Sequence, residues 1–325
     1  MEKKLIKHDI QIEKLIIMVK ELKGVFVIPA TPCDSKGNLD LESLRNEVEW
    51  CIENGVHGFF IGECSEIFAY SHTDRNRIIE TVVDAANGKA SIVAGTFADN
   101  TGNAVKLSKD AEDRGADALF MVGNMMRGGY VYNPKTGIDI VEHYRRIDSA
   151  VDIPICAYNS PGGAPGLMPP ERLLEIFDAC PGVEYIKAGE TSVPLYLRTI
   201  EAGIGEKVKV ITGKSHMNFR FLLAYPKAVG ISGCIIACLP AEHVEMWNHF
   251  QKGDINKARE VWLKKITPFN DLMSMGGDRP DVRKEALFQM GVIKSSTPPK
   301  PYSTLTIDDF HKKELNSVLK FLGKI

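Results

Sequence analysis

Eight short apolar runs, each followed by a stretch with helical periodicity, constrain this chain more than any other feature. The runs begin near Val25 (VFVIPA), Gly58 (GFFIG), Ser91 (SIVAG), Ala118 (ALFMVG), Ile153 (IPICAYN), Glu184 (EYIKA), Val208 (VKVITG) and Ala228 (AVGISG). They are bounded by Gly, Pro or Asn and lack clean polar alternation, the pattern of strands buried on both faces of a parallel sheet. Between them, Leu41 to Glu53, Arg75 to Ala86, Ala104 to Arg114, Ile140 to Ala150 and Pro170 to Phe177 carry helical spacing. Capping signals stand ahead of two of them, Asp40 and the Ser71-His72-Thr73-Asp74 run. Eight strand–helix units in series predict a closed (β/α)₈ barrel, which takes about 250 residues as one domain. An open doubly wound sheet is the alternative, but no G-x-G-x-x-G follows the first strand.

The expected organisation is a short N-terminal arm over residues 1–23 and a barrel core over 24–239. Residues 240–325 add the last barrel helix and a C-terminal helical appendage with a Pro-rich break at 297–301. Lys+Arg number 40 against 42 Asp+Glu, a net charge of −2, so no basic stripe points to nucleic acid or a membrane surface. The apolar piece at 15–19 is too short for a signal h-region or a span. Seven cysteines without a C-x-x-C pair fit reduced thiols and a cytoplasmic protein.

In a barrel of this type the chemistry sits at the C-terminal ends of the strands. The polar residues there are the 62–66 run after strand two, Tyr158-Asn159 after strand five, Lys187 in strand six and the Gly230–Gly233 end of strand eight. Burial disfavours a charged amine, and a neutral amine is what attack on a carbonyl requires. Position alone leaves Lys187 either such a nucleophile or a rim lysine reaching solvent. Lys214 in Gly213-Lys214-Ser215 is a rival, but a phosphate loop would need glycine where Val208 stands. Tyr158 could shuttle protons for an imine, or could simply pack at the rim.

Taken together, these residues resemble the dihydrodipicolinate synthase/N-acetylneuraminate lyase superfamily of class I, pyruvate-dependent barrel enzymes. The resemblance runs from about Gly24 to Gly291. It is carried by Thr31-Pro32 with Gly37-Asn38-Leu39-Asp40, Gly55-Val56-His57-Gly58, Gly62-Glu63-Cys64-Ser65-Glu66 with Tyr70-Ser71, and Ala94-Gly95-Thr96. Tyr158-Asn159-Ser160-Pro161, Ile186-Lys187 and Gly230-Ile231-Ser232 complete it. It implies a lyase with no cofactor beyond a covalent lysine imine, and no metal. Lys187 would form the imine with a 2-oxo acid and Tyr158 would act as general acid/base. Backbone amides around Glu63, Cys64 and Ser65 would hold the substrate carboxylate, as successive amides bind anions. The Ile231 carbonyl would face the pocket, and Glu66 would tie its loop to neighbouring structure. A homotetramer or homodimer is implied.

Three departures bear on substrate. Glu63, Cys64 and Ser65 replace the two usual hydroxyl residues and glycine of the second-strand loop. Glu63 could take over proton transfer, although a carboxylate beside a bound carboxylate is unfavourable unless protonated or turned away. Met125-Met126 stand where synthases carry a tyrosine pair, and Gly162-Gly163-Ala164-Pro165-Gly166 lacks the arginine that clamps a second substrate. These point to aldol cleavage or dehydration of a longer 2-oxo acid, with synthase-type condensation and a catalytically silent 2-oxo acid binder as alternatives. Arg127 and Tyr130 would reach the substrate's distal end or belong to a solvated loop. A metal-dependent barrel is the other reading, but the eight histidines show no ligand-like pairing at strand ends.

Overall fold

The computed structural model describes residues 20–62, 66–122, 140–160, 167–213, 218–274, 280–300 and 307–325. Eight parallel strands close into one barrel in sequential order. They are β1 (Gly24–Val27), β2 (Gly58–Ile61), β3 (Ser91–Gly95), β4 (Ala118–Met121), β5 (Ile155–Asn159), β6 (Val183–Ala188), β7 (Lys209–Thr212) and β8 (Gly230–Gly233). Closure is made by β1 against β8, with Gly24 opposite Gly230 and Val27 opposite Gly233.

All eight predicted strands are present, with later starts for three. The fifth begins at Ile155 rather than Ile153, the seventh at Lys209 and the eighth at Gly230. Pro154 has no N–H to donate, so pairing in β5 starts after it. The Leu41–Glu53 helix opens on Asp40, whose side chain accepts from the Glu42 and Ser43 amides. The next helix spans His72–Ala86 and is capped by Ser71. It therefore starts three residues before the expected Arg75, because a solvent-facing first turn has no apolar residue to announce it. The remaining expected helices run Thr101–Asp113, Ile140–Asp148 and Pro170–Ala179.

The barrel interior is filled by aromatic rings meeting edge to face. Phe26 and Phe60 lie 5.3 Å apart, Phe60 and Phe120 4.8 Å, and Phe97 and Phe120 5.2 Å. Such pairs add about 0.5–1.5 kcal/mol each beyond their burial. After β8 the helix Pro240–Gln251 packs beside β1. Ile255–Val261, Thr267–Ser274, Pro280–Gln289 and Asp309–Phe321 then form the C-terminal helices. Leu315 and Leu319 of the last one join the same hydrophobic core as the strands. Among the described residues no helix is long and apolar enough to cross a membrane, and the six described cysteines are buried, with no disulfide among them.

Candidate active site

Side chains alternate along a strand, so Tyr185 and Lys187 of β6 share one face. That face is the inside of the barrel. Lys187 is 1% exposed, and its Nζ lies 4.9 Å from the Tyr158 ring centroid, 5.0 Å from Phe120 and 5.4 Å from Phe60. These rings come from β5, β4 and β2 respectively. The amine is thus held within the barrel rather than reaching out past the rim, which decides against the solvent-seeking lysine as an account of its position.

Tyr158 stands directly opposite Lys187 in the β5–β6 register. Neighbours in a parallel ladder point the same way, so the phenol and the amine face the same space. The Tyr158 ring packs against Phe120 at 5.0 Å, tilted by 42°. Two glycines make room for this arrangement. A Cβ on Gly213, just past β7, would lie 2.9 Å from Lys187 Cε, and one on Gly189 would lie 2.7 Å from Tyr158 Cε2.

Around this pair lies a polar support. Asn159 uses its whole amide: Nδ2 donates to Glu190 Oε1 at 3.0 Å and to the Met168 carbonyl at 3.4 Å, and Oδ1 accepts from the Met168 amide at 2.8 Å. Glu190 Oε1 also accepts from Thr199 Oγ1 at 2.9 Å. Burial pushes the Glu190 carboxyl up to about 7, opposed by its own backbone amide and by the Thr199 and Asn159 donors.

The loop after β2 leaves its undescribed stretch at Glu66, a non-glycine residue in the left-handed region with φ 56°. Its carboxylate pairs with Lys284 Nζ at 2.5 Å, and both side chains are buried. Lys284 Nζ also lies 3.9 Å from Cys33 Sγ, which is 3.0 Å from the Tyr70 hydroxyl. Arg75 donates to the Ile67, Tyr70 and Phe97 carbonyls, holding the turn that follows.

Of the residues singled out in the sequence, the structure brings Lys187 and Tyr158 together. Ile231 is fully buried in β8, opposite Val25 and Thr212 and one strand removed from β6. Glu63, Cys64, Ser65, Arg127, Tyr130 and the rival Lys214 lie outside the described residues. Sequence reasoning missed Phe60, Phe120, Glu190 and Lys284. The two phenylalanines sit in runs apolar on both faces, where spacing cannot say which side points inward. Among the described residues no three His, Cys, Asp or Glu side chains converge as a metal site would require.

The sequence model of the dihydrodipicolinate synthetase family matches residues 21–322, nearly the whole chain and every strand of the barrel. The chain belongs to the dihydrodipicolinate synthetase family. A 4-hydroxy-tetrahydrodipicolinate synthase of Methanocaldococcus jannaschii is 28% identical over 309 residues, covering 93% of this chain and 99% of the relative. The dihydrodipicolinate synthase structure from Thermotoga maritima superposes with a TM-score of 0.83 at 25% identity, covering 93% and 99% of the two chains. That of the chloride-inhibited Acinetobacter baumannii enzyme complexed with pyruvate gives 0.82 at 25% identity, covering 94% and 100%. Enzymes of this family are pyruvate-dependent lyases of the class I aldolase type, working through a covalent lysine imine without an external cofactor. The chain is accordingly an enzyme of that type.

Proposed function

We propose that Lys187 is the imine-forming lysine and Tyr158 its proton-transfer partner, acting on pyruvate or a related 2-oxo acid. The observation that carries this reading is the placement of the Lys187 amine inside the barrel, 4.9 Å from the ring of the tyrosine opposite it. Attack of Nζ on the C2 carbonyl gives a carbinolamine, and loss of water gives the imine. The protonated imine draws electrons toward nitrogen, so the pair of a C3–H or C3–C4 bond stays with C3 to form the enamine, as a proton leaves or as the C4 hydroxyl gives up its proton and C4 departs as a carbonyl. Tyr158 would carry the protons of the carbinolamine and enamine steps. The rings of Phe60, Phe120 and Tyr158 offer their faces to the cationic nitrogen, worth about 0.5–2 kcal/mol where water is excluded.

In the same reading, the amides of Glu63, Cys64 and Ser65 hold the substrate carboxylate and the Ile231 carbonyl faces the pocket. Glu63 remains a candidate for proton transfer, and Arg127 and Tyr130 for contacts with the distal end of a longer substrate. Two reactions follow from one enamine. The methionines at 125–126 and the arginine-free loop at 162–166 favour cleavage or dehydration of a 2-oxo-3-deoxy sugar acid or similar compound. The naming of the M. jannaschii relative as a synthase favours condensation of pyruvate with an aldehyde. A cytoplasmic homotetramer or homodimer is the expected state, readable by sedimentation.

Sodium borohydride added with pyruvate should reduce the imine and raise the protein mass by that of pyruvic acid less one oxygen atom. An absent adduct, or one that survives Lys187→Ala, overturns the mechanism. Offering 2-oxo-3-deoxy sugar acids, N-acetylneuraminate and 4-hydroxy-2-oxo acids, and separately pyruvate with a panel of aldehydes, decides between the two reactions. Imine trapping without turnover on any of them would instead mark a silent binder.

A further inference from the structure

Just past the end of β6, three positions beyond its inward lysine, stands a second chemically loaded residue. Glu190 is 1% exposed and gathers two donors on one oxygen, Asn159 Nδ2 from the end of β5 and Thr199 Oγ1 from the Val193–Thr199 helix. Its other oxygen, Oε2, is shut from solvent and has no hydrogen-bond partner among the described residues. Asn159 immediately follows Tyr158. With both halves of its amide engaged by Glu190 and Met168, only one orientation satisfies every partner. The Gly189 amide donates to the Asn159 carbonyl at 2.8 Å, and the Tyr158 ring lies against Gly189. The peptide between Lys187 and Glu190 is therefore the surface on which the tyrosine rests.

We infer that Glu190 is a positioning residue for the imine chemistry: through Asn159 and the Gly189 peptide it sets where the Tyr158 phenol stands relative to the Lys187 amine. This rests on the Lys187–Tyr158 reading proposed above. Burial holds the Glu190 carboxyl up to about 7, so it is mostly neutral only below that pH. Above that pH a charge appears on a group whose second oxygen has no donor, an unfavourable buried state that relaxes by moving the strand end. Among the described residues, few groups face it. Tyr196, Thr199 and Arg198 come from the Val193–Thr199 helix, the first a buried phenol pushed up by burial and the last exposed beside a cavity that Asn159, Met168 and Glu190 also line. Asn159 comes from the end of β5, while Tyr225 lies beyond Tyr196. Lys214 and His216 follow β7, outside the described residues.

The test uses pyruvate alone. Enamine formation removes a methyl proton of pyruvate and its reversal returns one from solvent, so exchange of those protons in deuterated water measures the half-reaction in which Tyr158 acts. Wild-type exchange turnover should fall as pH rises through about 7, with little change in the KM for pyruvate. Glu190→Gln, which keeps the acceptor oxygen and cannot ionise, should retain the low-pH rate and lose the inflection. Glu190→Ala should lower turnover about tenfold to a hundredfold at every pH, the scale of a misplaced catalytic group, while borohydride still traps pyruvate stoichiometrically. An inflection persisting in Glu190→Gln assigns it to another group and overturns the inference, as does wild-type turnover in both variants. If Glu190→Ala does not fold, the Glu190→Gln profile decides alone. Failure of trapping in the wild type would sink the Lys187 reading instead, and is read separately.

Discussion

Gly213 shows how little space surrounds the amine. Its φ lies in ordinary territory, so the demand is for volume: a Cβ there would come 2.9 Å from Lys187 Cε and 3.1 Å from the Ala188 carbonyl. The lysine stem must give way, since the backbone cannot. Gly213→Ala is expected to cost about 1–3 kcal/mol of stability, as overpacking does, and to lower kcat about a hundredfold by displacing the nucleophile on the order of 1 Å. Steady-state kinetics beside a denaturant melt would check it; wild-type kcat would show that Lys187 has room the structure does not give it. Glu47 offers a stability test of a different kind. It is fully buried in the Leu41–Glu53 helix and accepts from the Ala30 amide at 2.8 Å. Burial pushes its carboxyl from 4.5 up to about 7, opposed by that amide and by the charges of Arg283 and Lys284. A raised folded value means the folded state holds the proton more tightly. Its stabilising contribution is thus complete below 4.5 and lost as pH rises through about 7. Relative to Glu47→Gln, the wild type should lose about 3 kcal/mol across that window, seen as a pH-dependent difference between their unfolding midpoints. A constant difference would mean Glu47 is ionised throughout.

Between elements, the contact that matters most joins the Pro280–Gln289 helix to the exit of the β2 loop. Glu66 takes a left-handed conformation that costs a non-glycine residue on the order of 1 kcal/mol. The Lys284 pair holds it there in a buried setting. Removing one partner strands the other charge in the interior. Lys284→Ala should therefore cost about 3–5 kcal/mol, whereas Lys284→Met combined with Glu66→Gln should be far milder. Guanidinium unfolding of the single and paired variants measures this, and equal losses would remove the ion pair from the account. In sequence, Glu66 was legible as a tie for its loop because it falls within the family motif of 62–71, whose resemblance implied that role. Its partner was not: Lys284 lies 218 positions on, in a helix whose charged run Arg283-Lys284-Glu285 reads as solvated, yet all three side chains are buried. Strands and helices themselves were legible to within a few residues. The errors fall at ends such as His72 and Ile155, where a solvent-facing turn or a proline separates hydrophobic pattern from hydrogen bonding.

At the scale of the whole molecule, barrel and C-terminal helices share one continuous core, from Phe26 and Phe60 through Val282 to Leu315 and Leu319. One cooperative unit is expected. Unfolding followed by far-UV circular dichroism and by fluorescence of Trp50, Trp247 and Trp262 should give coincident transitions, and two separated ones would mark the appendage as an independent domain. The order of the strands, their parallel closure and the presence of a lysine and a tyrosine at neighbouring strand ends were determined by sequence alone, because alternation of apolar runs with helical periods admits few topologies. What tertiary structure decided is which way those residues point and what supports them. Strands buried on both faces carry no period to distinguish inside from outside. Only register across the ladder turns Lys187 toward Tyr158, Phe60 and Phe120, and only packing brings Glu190 against Asn159 and Lys284 against Glu66.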